Sequence, residues 1–256
     1  MIRLCVLLIV LLVPARALAQ SDAGTTVFAG QVPIVRTSNA PIDPSKGVRI
    51  TIAGGTRGLY VELGRRLLFP KVPAPGAIEV VLRRYPAARD PVQPRHREPS
   101  FLVDYDEPDV EALHARVQRE LGPSPTMPRL ARFVHAYIRE KDLNRGFDPA
   151  SVTVRLREGD CTEHAVLLTA LARSFGFAAR LTSGIVILED DGRIGAFLHM
   201  WVEWNDRGRW VPSDAALRQK VLYLPTGVMR DEGPGYARDP SGMDGILVTR
   251  LTVEPL

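Results

Sequence analysis

Cysteine is scarce in this sequence of 256 residues. There are two: Cys5 lies in an apolar run near the N-terminus, and Cys161 lies in the stretch GDCTEHAVLLTALARSFGFAAR. If the N-terminal run is cleaved off, the remaining chain has one thiol and cannot form an internal disulfide. A disulfide-stapled fold is thereby excluded, and Cys161 is left as a nucleophile, a metal ligand or a small buried residue.

Long hydrophobic runs are also scarce. Arg3 precedes an apolar run from Leu4 to Val13, and residues 17–19 (ALA) have the small-x-small pattern of a cleavage site. The run is shorter than the ~20 apolar residues that a spanning helix needs, and no later stretch is apolar enough to span a membrane. We therefore predict a signal peptide over residues 1–19, an exported (periplasmic or secreted) protein, and no membrane span in the mature chain.

Positive and negative charges are nearly balanced in the predicted mature chain. Loss of Arg3 and Arg16 with the signal peptide would leave 31 basic residues against 29 acidic ones. No basic stripe follows a predicted helix or strand, so we expect no nucleic-acid partner. The arginine-rich fragment at residues 82–86 is interpreted as a solvated strand edge. At 45% hydrophobic and 24% charged residues, the composition is typical of a globular protein.

Residues 20–105 are predicted to form a small β-rich module. Strand-forming runs alternate there with proline-rich connectors, and the runs are TTVFAGQVPIV, VRITIAGGTRGLYVEL, AIEVVLRR and SFLVDYD. No catalytic motif occurs in this module. His96 lies in one of the proline-rich connectors and is predicted to be exposed.

Residues 106–225 are predicted to form an α+β core. Two amphipathic helices come first, one near residues 106–121 and one from Pro128 onward. A third helix begins near Cys161 and is apolar on all sides, as buried helices are. The runs AARLTSGIVILE, RIGAFLHMWVEW and RWVPSD then predict an antiparallel meander. Residues 226–256 complete the chain as a loop-rich tail with a final strand.

The start of the apolar helix carries the chemistry. Asp160 suits the N-cap position, and Glu163 follows three residues later, as in a capping box. Cys161 then occupies the first helical position, where the helix dipole favours a thiolate and unpaired N–H groups can stabilise an oxyanion. The carboxylates of Asp160 and Glu163 oppose a thiolate, so Cys161 needs a cationic partner.

A candidate partner lies on a later strand, HMWVEW. His199, Trp201 and Glu203 share one face of that strand, and Asp214 ends the next strand. A cysteine, a histidine and an aspartate in this arrangement form a nucleophile, a base and an orienting group. On the same face, Trp201 is a candidate core or cleft-wall residue and the tryptophan best placed to shield the site from water, and Glu203 is an ion-pair partner.

His164 stands one helical turn after Cys161. We interpret it as a hydrogen-bonded neighbour of the site, with an alternative base as the second interpretation. A metal site built from Cys161, His164, His199 and Asp214 is the less favoured alternative, because structural zinc sites usually supply more thiolates. No metal is therefore expected.

The stretches GDCTEHAVLLTALARSFGFAAR, HMWVEW and GRWVPSDA resemble the transglutaminase-like superfamily, in particular its exported bacterial members. The resemblance covers about residues 124–225 and implies a papain-like core, with the cysteine helix packed on an antiparallel sheet. It also implies that Cys161 is the nucleophile, His199 the base and Asp214 the orienting group. The chain departs from the family at Ala215 and Ala216, where a proline and then a threonine or serine usually follow the aspartate.

The resemblance implies acyl transfer through a cysteine thioester on a protein or peptide substrate, without a cofactor. Hydrolysis, as in a cysteine peptidase or amidase, is slightly favoured, because excluding water needs a specialised tunnel that no pattern predicts. Transfer to an amine, as in a protein-glutamine transglutaminase, is the first alternative. A non-catalytic binding module on the same fold is the second. Substrate-binding residues other than Trp201, and the oligomeric state, do not follow from the sequence.

Overall fold

A computed structural model describes residues 30–231 and 248–256, apart from residues 39, 41, 43–45, 67, 141–146 and 191. The predicted signal peptide and most of the predicted loop-rich tail lie outside the described residues. The elements within them, in chain order, are β1 (Ile34–Arg36), β2 (Val48–Ala53), α1 (Arg57–Arg65), β3 (Ala77–Leu82), α2 (Pro108–Leu121), α3 (Met127–Tyr137), α4 (Ala150–Leu156), α5 (Cys161–Ser174), β4 (Ala179–Asp190), β5 (Arg193–Asp206), β6 (Arg209–Ser213), β7 (Leu222–Val228) and β8 (Arg250–Pro255). This mixed composition confirms the predicted α+β class.

The strands form two four-stranded sheets. The first has the order β1-β8-β2-β3, with β8 parallel to β1 and antiparallel to β2. The second has the order β6-β5-β4-β7 and is antiparallel throughout. The predicted meander is thus confirmed, and strands from both ends of the described chain build the first sheet.

Two hydrophobic cores meet the second sheet. Helices α2 to α5 pack against one part of it, through residues such as Leu181 and Val202. The first sheet and α1 pack against another part, through residues such as Ile185 and Leu224. Residues 163–173 of α5 are all buried, which confirms the prediction of a buried apolar helix. The cysteine helix is therefore held from several sides.

Helix α1 corrects a strand prediction. The run VRITIAGGTRGLYVEL was interpreted as a strand throughout, but only its first part is β2. Gly54 turns the chain at φ +80°, a conformation that glycine adopts without strain. The Thr56 hydroxyl then accepts a hydrogen bond from Leu59 N at 3.0 Å and caps the helix.

Four further segments differ from the predictions. SFLVDYD is a loop and not a strand, although Leu102 and Val103 are buried. Helix α4 was not predicted; its start is fixed by Asp104, which accepts hydrogen bonds from the backbone and the hydroxyl of Ser151. His96 is buried and not exposed, because its ring packs edge-on against Trp210. Strand β7 was not predicted either, and it runs across the predicted boundary at residue 225.

None of the helices in the described ranges is long and apolar enough to cross a membrane.

Candidate active site

The first turn of α5 has the predicted capping box. Asp160 Oδ1 accepts a hydrogen bond from Thr162 N at 2.7 Å, and Glu163 Oε2 accepts one from Asp160 N at 2.9 Å. These bonds satisfy N–H groups that the helix itself leaves unpaired. Cys161 is therefore held as the first residue of the helix, with its side chain half-buried.

Gly159 makes this turn sterically feasible. Its φ is +153°, and a Cβ added there would lie 2.4 Å from Glu163 Cβ. The carboxylate of Glu163 can fold back over the N-cap only because residue 159 has no side chain. The glycine two positions before the cysteine is thus explained by the backbone geometry of the helix start.

Glu163 repels a Cys161 thiolate less strongly than a fully ionised carboxylate would. Burial raises the pKa of Glu163 to about 7, although hydrogen bonds from the backbone of Asp160 and Asp148 act in the other direction. The carboxyl group is therefore partly protonated near neutral pH. The repulsion that the sequence predicted between this side chain and a Cys161 thiolate is reduced accordingly.

His199 and Asp214 meet across strands β5 and β6. His199 Nε2 hydrogen-bonds Asp214 Oδ2 at 2.7 Å, and both side chains are buried. Cys161 interacts with the same imidazole and helps to raise its pKa. Since Nε2 is engaged by Asp214, Nδ1 is the ring nitrogen left for the thiol. The three residues that the sequence singled out are thus brought together around one imidazole.

Burial alone would lower the pKa of His199. The charge of Asp214, its hydrogen bond and the interactions with Cys161 outweigh burial and raise the pKa to about 10. For Asp214 the balance is reversed: burial acts to raise its pKa, but His199 lowers it below the ordinary value. The pair is therefore an imidazolium and a carboxylate at neutral pH.

Four donors hold the Asp214 carboxylate. Oδ2 accepts from His199 and from the Tyr223 hydroxyl at 2.9 Å, and Oδ1 accepts from the backbone N–H groups of Ala216 and Leu217 at 2.8 and 3.0 Å. The two backbone bonds do not depend on the side chain at residue 216. The departure of Ala215 and Ala216 from the family pattern therefore leaves Asp214 anchored. Tyr223 was missed by sequence reasoning, since β7 itself was not predicted.

Two other histidines lie beside the site. His164 is buried and its Nδ1 hydrogen-bonds the Asp160 carbonyl at 2.6 Å, which confirms a hydrogen-bonded neighbour. His135 lies in the last turn of α3. Its Nδ1 hydrogen-bonds the Ala215 carbonyl at 2.8 Å, and its ring centroid lies 6.4 Å from that of His164. His135 thus links α3 to the loop after Asp214.

Trp201 is not a cleft wall, because it is fully buried. Its ring lies nearly parallel to that of His199, at 20° and 6.2 Å between centroids, and its Nε1 donates to the Tyr85 hydroxyl at 2.9 Å. The indole therefore covers one side of the imidazole and keeps water from it. Trp201 is therefore a core residue that shields the site, as one part of the prediction had it, and it does not line an open cleft.

Glu203 is an ion-pair partner, as predicted. Its carboxylate bonds Arg66 at 2.5 Å and Arg180 at 2.8 Å, and the Tyr85 hydroxyl donates to it at 2.5 Å. Burial would raise the pKa of Glu203, but the two guanidinium groups hold it at about 2. Arg66 and Tyr85 come from the predicted β-rich module, which the sequence had given no part in the site.

In the part of the chain that the structure describes, no group of three or more His, Cys, Asp or Glu side chains is placed to hold a metal ion.

Residues 111–215 match the family model of the transglutaminase-like superfamily. The matched stretch includes Cys161, His199 and Asp214, and it confirms the resemblance that the three sequence motifs indicated. It corresponds to most of α2 through β6. No curated protein matches the chain.

Two solved structures are similar to part of the chain. One is a proposed cysteine protease from Cytophaga hutchinsonii, with 18% sequence identity and a TM-score of 0.41; the match covers 54% of this chain and 46% of that one. The other is the periplasmic domain of TgpA from Pseudomonas aeruginosa, bound to ethylmercury, with 19% identity and a TM-score of 0.37; the match covers 54% and 55% of the two chains. The present chain thus spans about half the length of either structure.

Proposed function

We propose that this protein catalyses thiol-dependent acyl transfer on peptide or carboxamide bonds, with hydrolysis as the favoured outcome. Cys161 is the nucleophile, His199 the acid and base, and Asp214 the orienting group. The observation that most supports the proposal is a single buried imidazole that bonds Asp214 on one side and interacts with a thiol on the other. The family match supports the coarser assignment to a family of cysteine-dependent enzymes.

In the first half of the reaction, the Cys161 sulfur attacks the carbonyl carbon of the substrate. The S–C bond forms, and the Cys161 N–H is the group in the first turn of α5 that the capping box does not engage, so it can donate to the oxyanion. Protonated His199 then gives its proton to the leaving amine as the C–N bond breaks. Asp214 keeps the ring in the required orientation, and the acyl group remains on Cys161 as a thioester.

In the second half, neutral His199 takes a proton from the acceptor, which attacks the thioester carbon. The C–S bond breaks, and the thiolate and imidazolium return to their starting state. With water as acceptor the product is a carboxylic acid; with an amine it is a new amide. Water is favoured as acceptor because the half-buried Cys161 side chain remains partly open to solvent.

The same proposal places the protein outside the cytoplasm, in the periplasm or the medium. Its support is the signal-like segment at residues 1–19. A mature chain with one cysteine has no disulfide partner for that thiol in an oxidising compartment, so Cys161 can stay reduced for catalysis.

The test is acylation by p-nitrophenyl acetate, which needs only a reactive nucleophile. We expect a burst of one nitrophenolate per chain at pH 6–7 and one acetyl group, located by mass spectrometry on Cys161. Cys161→Ala should give no burst. His199→Gln should slow acylation on the order of 10²–10⁴-fold. His114→Gln is the matched control, since His114 bonds Ser174 at the far end of α5, and it should leave the rate unchanged.

Acylation of the wild type no faster than that of free cysteine, or equal rates in wild type and His199→Gln, would contradict the proposal and favour a binding module. The acceptor is tested on the acetylated protein. Release of acetate in the presence of excess glycinamide indicates hydrolysis, whereas N-acetylglycinamide as the main product indicates amine transfer.

A further inference from the structure

A cavity of about 700 Å³ lies away from Cys161. Its walls come from the end of α1, the loop over residues 88–96, the end of α5, the start of β4 and the segment after β7. Arg173, which lines it, follows Cys161 by more than three helical turns in α5, or about 18 Å along the axis. None of Cys161, His199 and Asp214 lines the cavity, so it is separate from the candidate active site.

Arginine dominates the lining of this cavity. Among the described residues that line it, six arginines face three carboxylates, an excess of three positive charges; the arginines are Arg65, Arg89, Arg95, Arg173, Arg180 and Arg230. All three carboxylates are already engaged: Asp231 pairs with Arg173, Asp90 with Arg180, and Glu62 with Arg66. The carboxylates therefore neutralise the buried Arg173 and Arg180 and are not available to the exposed Arg65 and Arg89.

The floor of the cavity is rigid. Arg180 is buried, bonds both Asp90 and Glu203, and lies 4.1 Å over the ring of Trp210. Arg173 is buried and donates to the carbonyl groups of Ala179 and Glu98. Side chains that are already fixed lose no further conformational entropy when a ligand binds, so the cavity is preorganised.

Two arginines at the mouth are available for a ligand. Arg65 and Arg89 are exposed, and neither forms an ion pair with another residue of the described ranges. Arg89 also lines an adjoining cavity of about 340 Å³, together with Arg83 and Arg84. The fragment at residues 82–86, interpreted from the sequence as a solvated strand edge, thus belongs to a basic surface that distant segments assemble.

The pKa of His96, a residue of the cavity wall, reflects its burial and the positive charges around it. Burial lowers the pKa of this histidine to about 4, and the nearby charges of Arg180 and Arg95 act in the same direction. The ring is therefore neutral at physiological pH and adds a polar group to the wall, not a further charge. This agrees with a positive potential that the lining carboxylates do not cancel.

We infer that this cavity is a binding site for an anionic ligand, which Arg65 and Arg89 hold through carboxylate or phosphate oxygens. The guanidinium fork matches both oxygen arrangements, so the shared chemistry is a compact group with at least two negative charges. The volume is that of a small-molecule site. The ligand is either an acidic peptide segment or a phosphorylated small molecule. The inference does not depend on the chemistry of Cys161.

The test is isothermal titration of the purified protein with two probes, pyrophosphate and a pentaglutamate peptide, at constant ionic strength. We expect saturable one-to-one binding of at least one probe. Arg65→Ala/Arg89→Ala should weaken it about tenfold or more, because charge-assisted hydrogen bonds are lost. Arg119→Ala/Arg132→Ala is the matched control: it removes the same charge from exposed positions on α2 and α3 and should bind like the wild type.

Tighter binding of pentaglutamate supports an acidic peptide as the ligand, and tighter binding of pyrophosphate supports a phosphorylated molecule. Absence of saturable binding overturns the inference, and so does equal weakening in the two double variants, which would indicate general charge attraction. Cys161→Ala should bind both probes normally. The anion-binding inference and the proposed function of Cys161 can therefore be disproved independently of each other.

Discussion

At the scale of single residues, the charge of His199 is decided by effects that act in opposite directions. Burial favours the neutral ring, whereas Asp214 and Cys161 favour the imidazolium and raise its pKa to about 10. Asp214 can do so because its other lone pairs are engaged by Tyr223 and by two backbone N–H groups. The acid of the proposed reaction therefore depends on residues that touch no substrate.

This balance predicts how stability changes with pH. The ordinary pKa of a histidine is 6.5, so between pH 6.5 and about 10 the folded protein holds a proton on His199 that the unfolded chain has lost. The stabilisation is complete below pH 6.5 and disappears as pH rises through 10. We expect the free energy of unfolding to fall with pH by up to about 1.4 kcal/mol per unit in that window.

The measurement is urea unfolding at pH 7, 8 and 9 in a Cys161→Ala background, which removes the titration of the thiol. Because Cys161 also helps to raise the pKa of His199, the window in this background ends below pH 10. Adding Asp214→Asn should flatten the slope, because burial then lowers the pKa of His199. Asp109→Asn, at an exposed ion pair, is the control and should keep the slope. Equal slopes with and without Asp214→Asn would show that Asp214 does not set the charge of His199.

At the scale of elements, the start of α5 joins the fold to the chemistry. The capping box was predictable, because a side chain at the N-cap and another three residues later form a local pattern. The conformation of Gly159 was not, since φ +153° follows from the path by which the chain enters the helix. The same turn fixes both the Glu163 carboxyl group and the Cys161 thiol.

Two glycine-to-alanine substitutions distinguish backbone strain at positive φ from steric overlap of the added Cβ with its neighbours. Gly159→Ala places a Cβ 2.4 Å from Glu163 Cβ, whereas Gly176→Ala, at φ +84°, meets no heavy atom within 4 Å. We expect Gly176→Ala to cost about 1 kcal/mol of unfolding free energy, from backbone strain alone. Gly159→Ala should cost about 2 kcal/mol more, as overpacking does, and slow acylation of Cys161 as well. Equal costs in urea unfolding would mean that the turn relaxes around the new methyl group.

Other elements show where local patterns fail. Helix α4 has the β-branched residues of a strand, and it is helical because Asp104 fixes Ser151 and buried side chains face the core. His96 lies among prolines and arginines, yet it is buried because the loop folds back onto Trp210. In both cases tertiary contacts outweigh the local preference, and no window of the sequence contains those contacts.

At the scale of the whole molecule, the two sheets are joined by polar contacts as well as by apolar packing. Strand β8 completes the first sheet from the far end of the chain, a pairing too distant in sequence to be predicted. Glu203 was predictable as an ion-pair partner from its strand face. Its partners Arg66 and Tyr85 were not, because they lie more than 100 residues earlier.

The ion cluster around Glu203 links the first part of the chain to the strand that carries His199. Glu203 is fully buried between Arg66 and Arg180, so its removal leaves two buried cations with less compensation. We expect Glu203→Gln to lower the free energy of unfolding by about 3–5 kcal/mol at pH 7. Glu120→Gln, at the exposed pair with Arg116, should cost less than about 1 kcal/mol.

The pH dependence of the loss in unfolding free energy caused by Glu203→Gln shows whether this loss arises from the charge of Glu203. The pKa of Glu203 is about 2 in the folded protein against an ordinary 4.5, so its stabilisation is complete above pH 4.5 and is lost as pH falls through 2. The difference in unfolding free energy between wild type and Glu203→Gln should therefore shrink from pH 5 to pH 3, as measured by urea unfolding with tryptophan fluorescence. A cost that stays constant over this range would mean that Glu203 acts through its shape and not its charge. The coupling between the two sheets would then be a matter of packing alone.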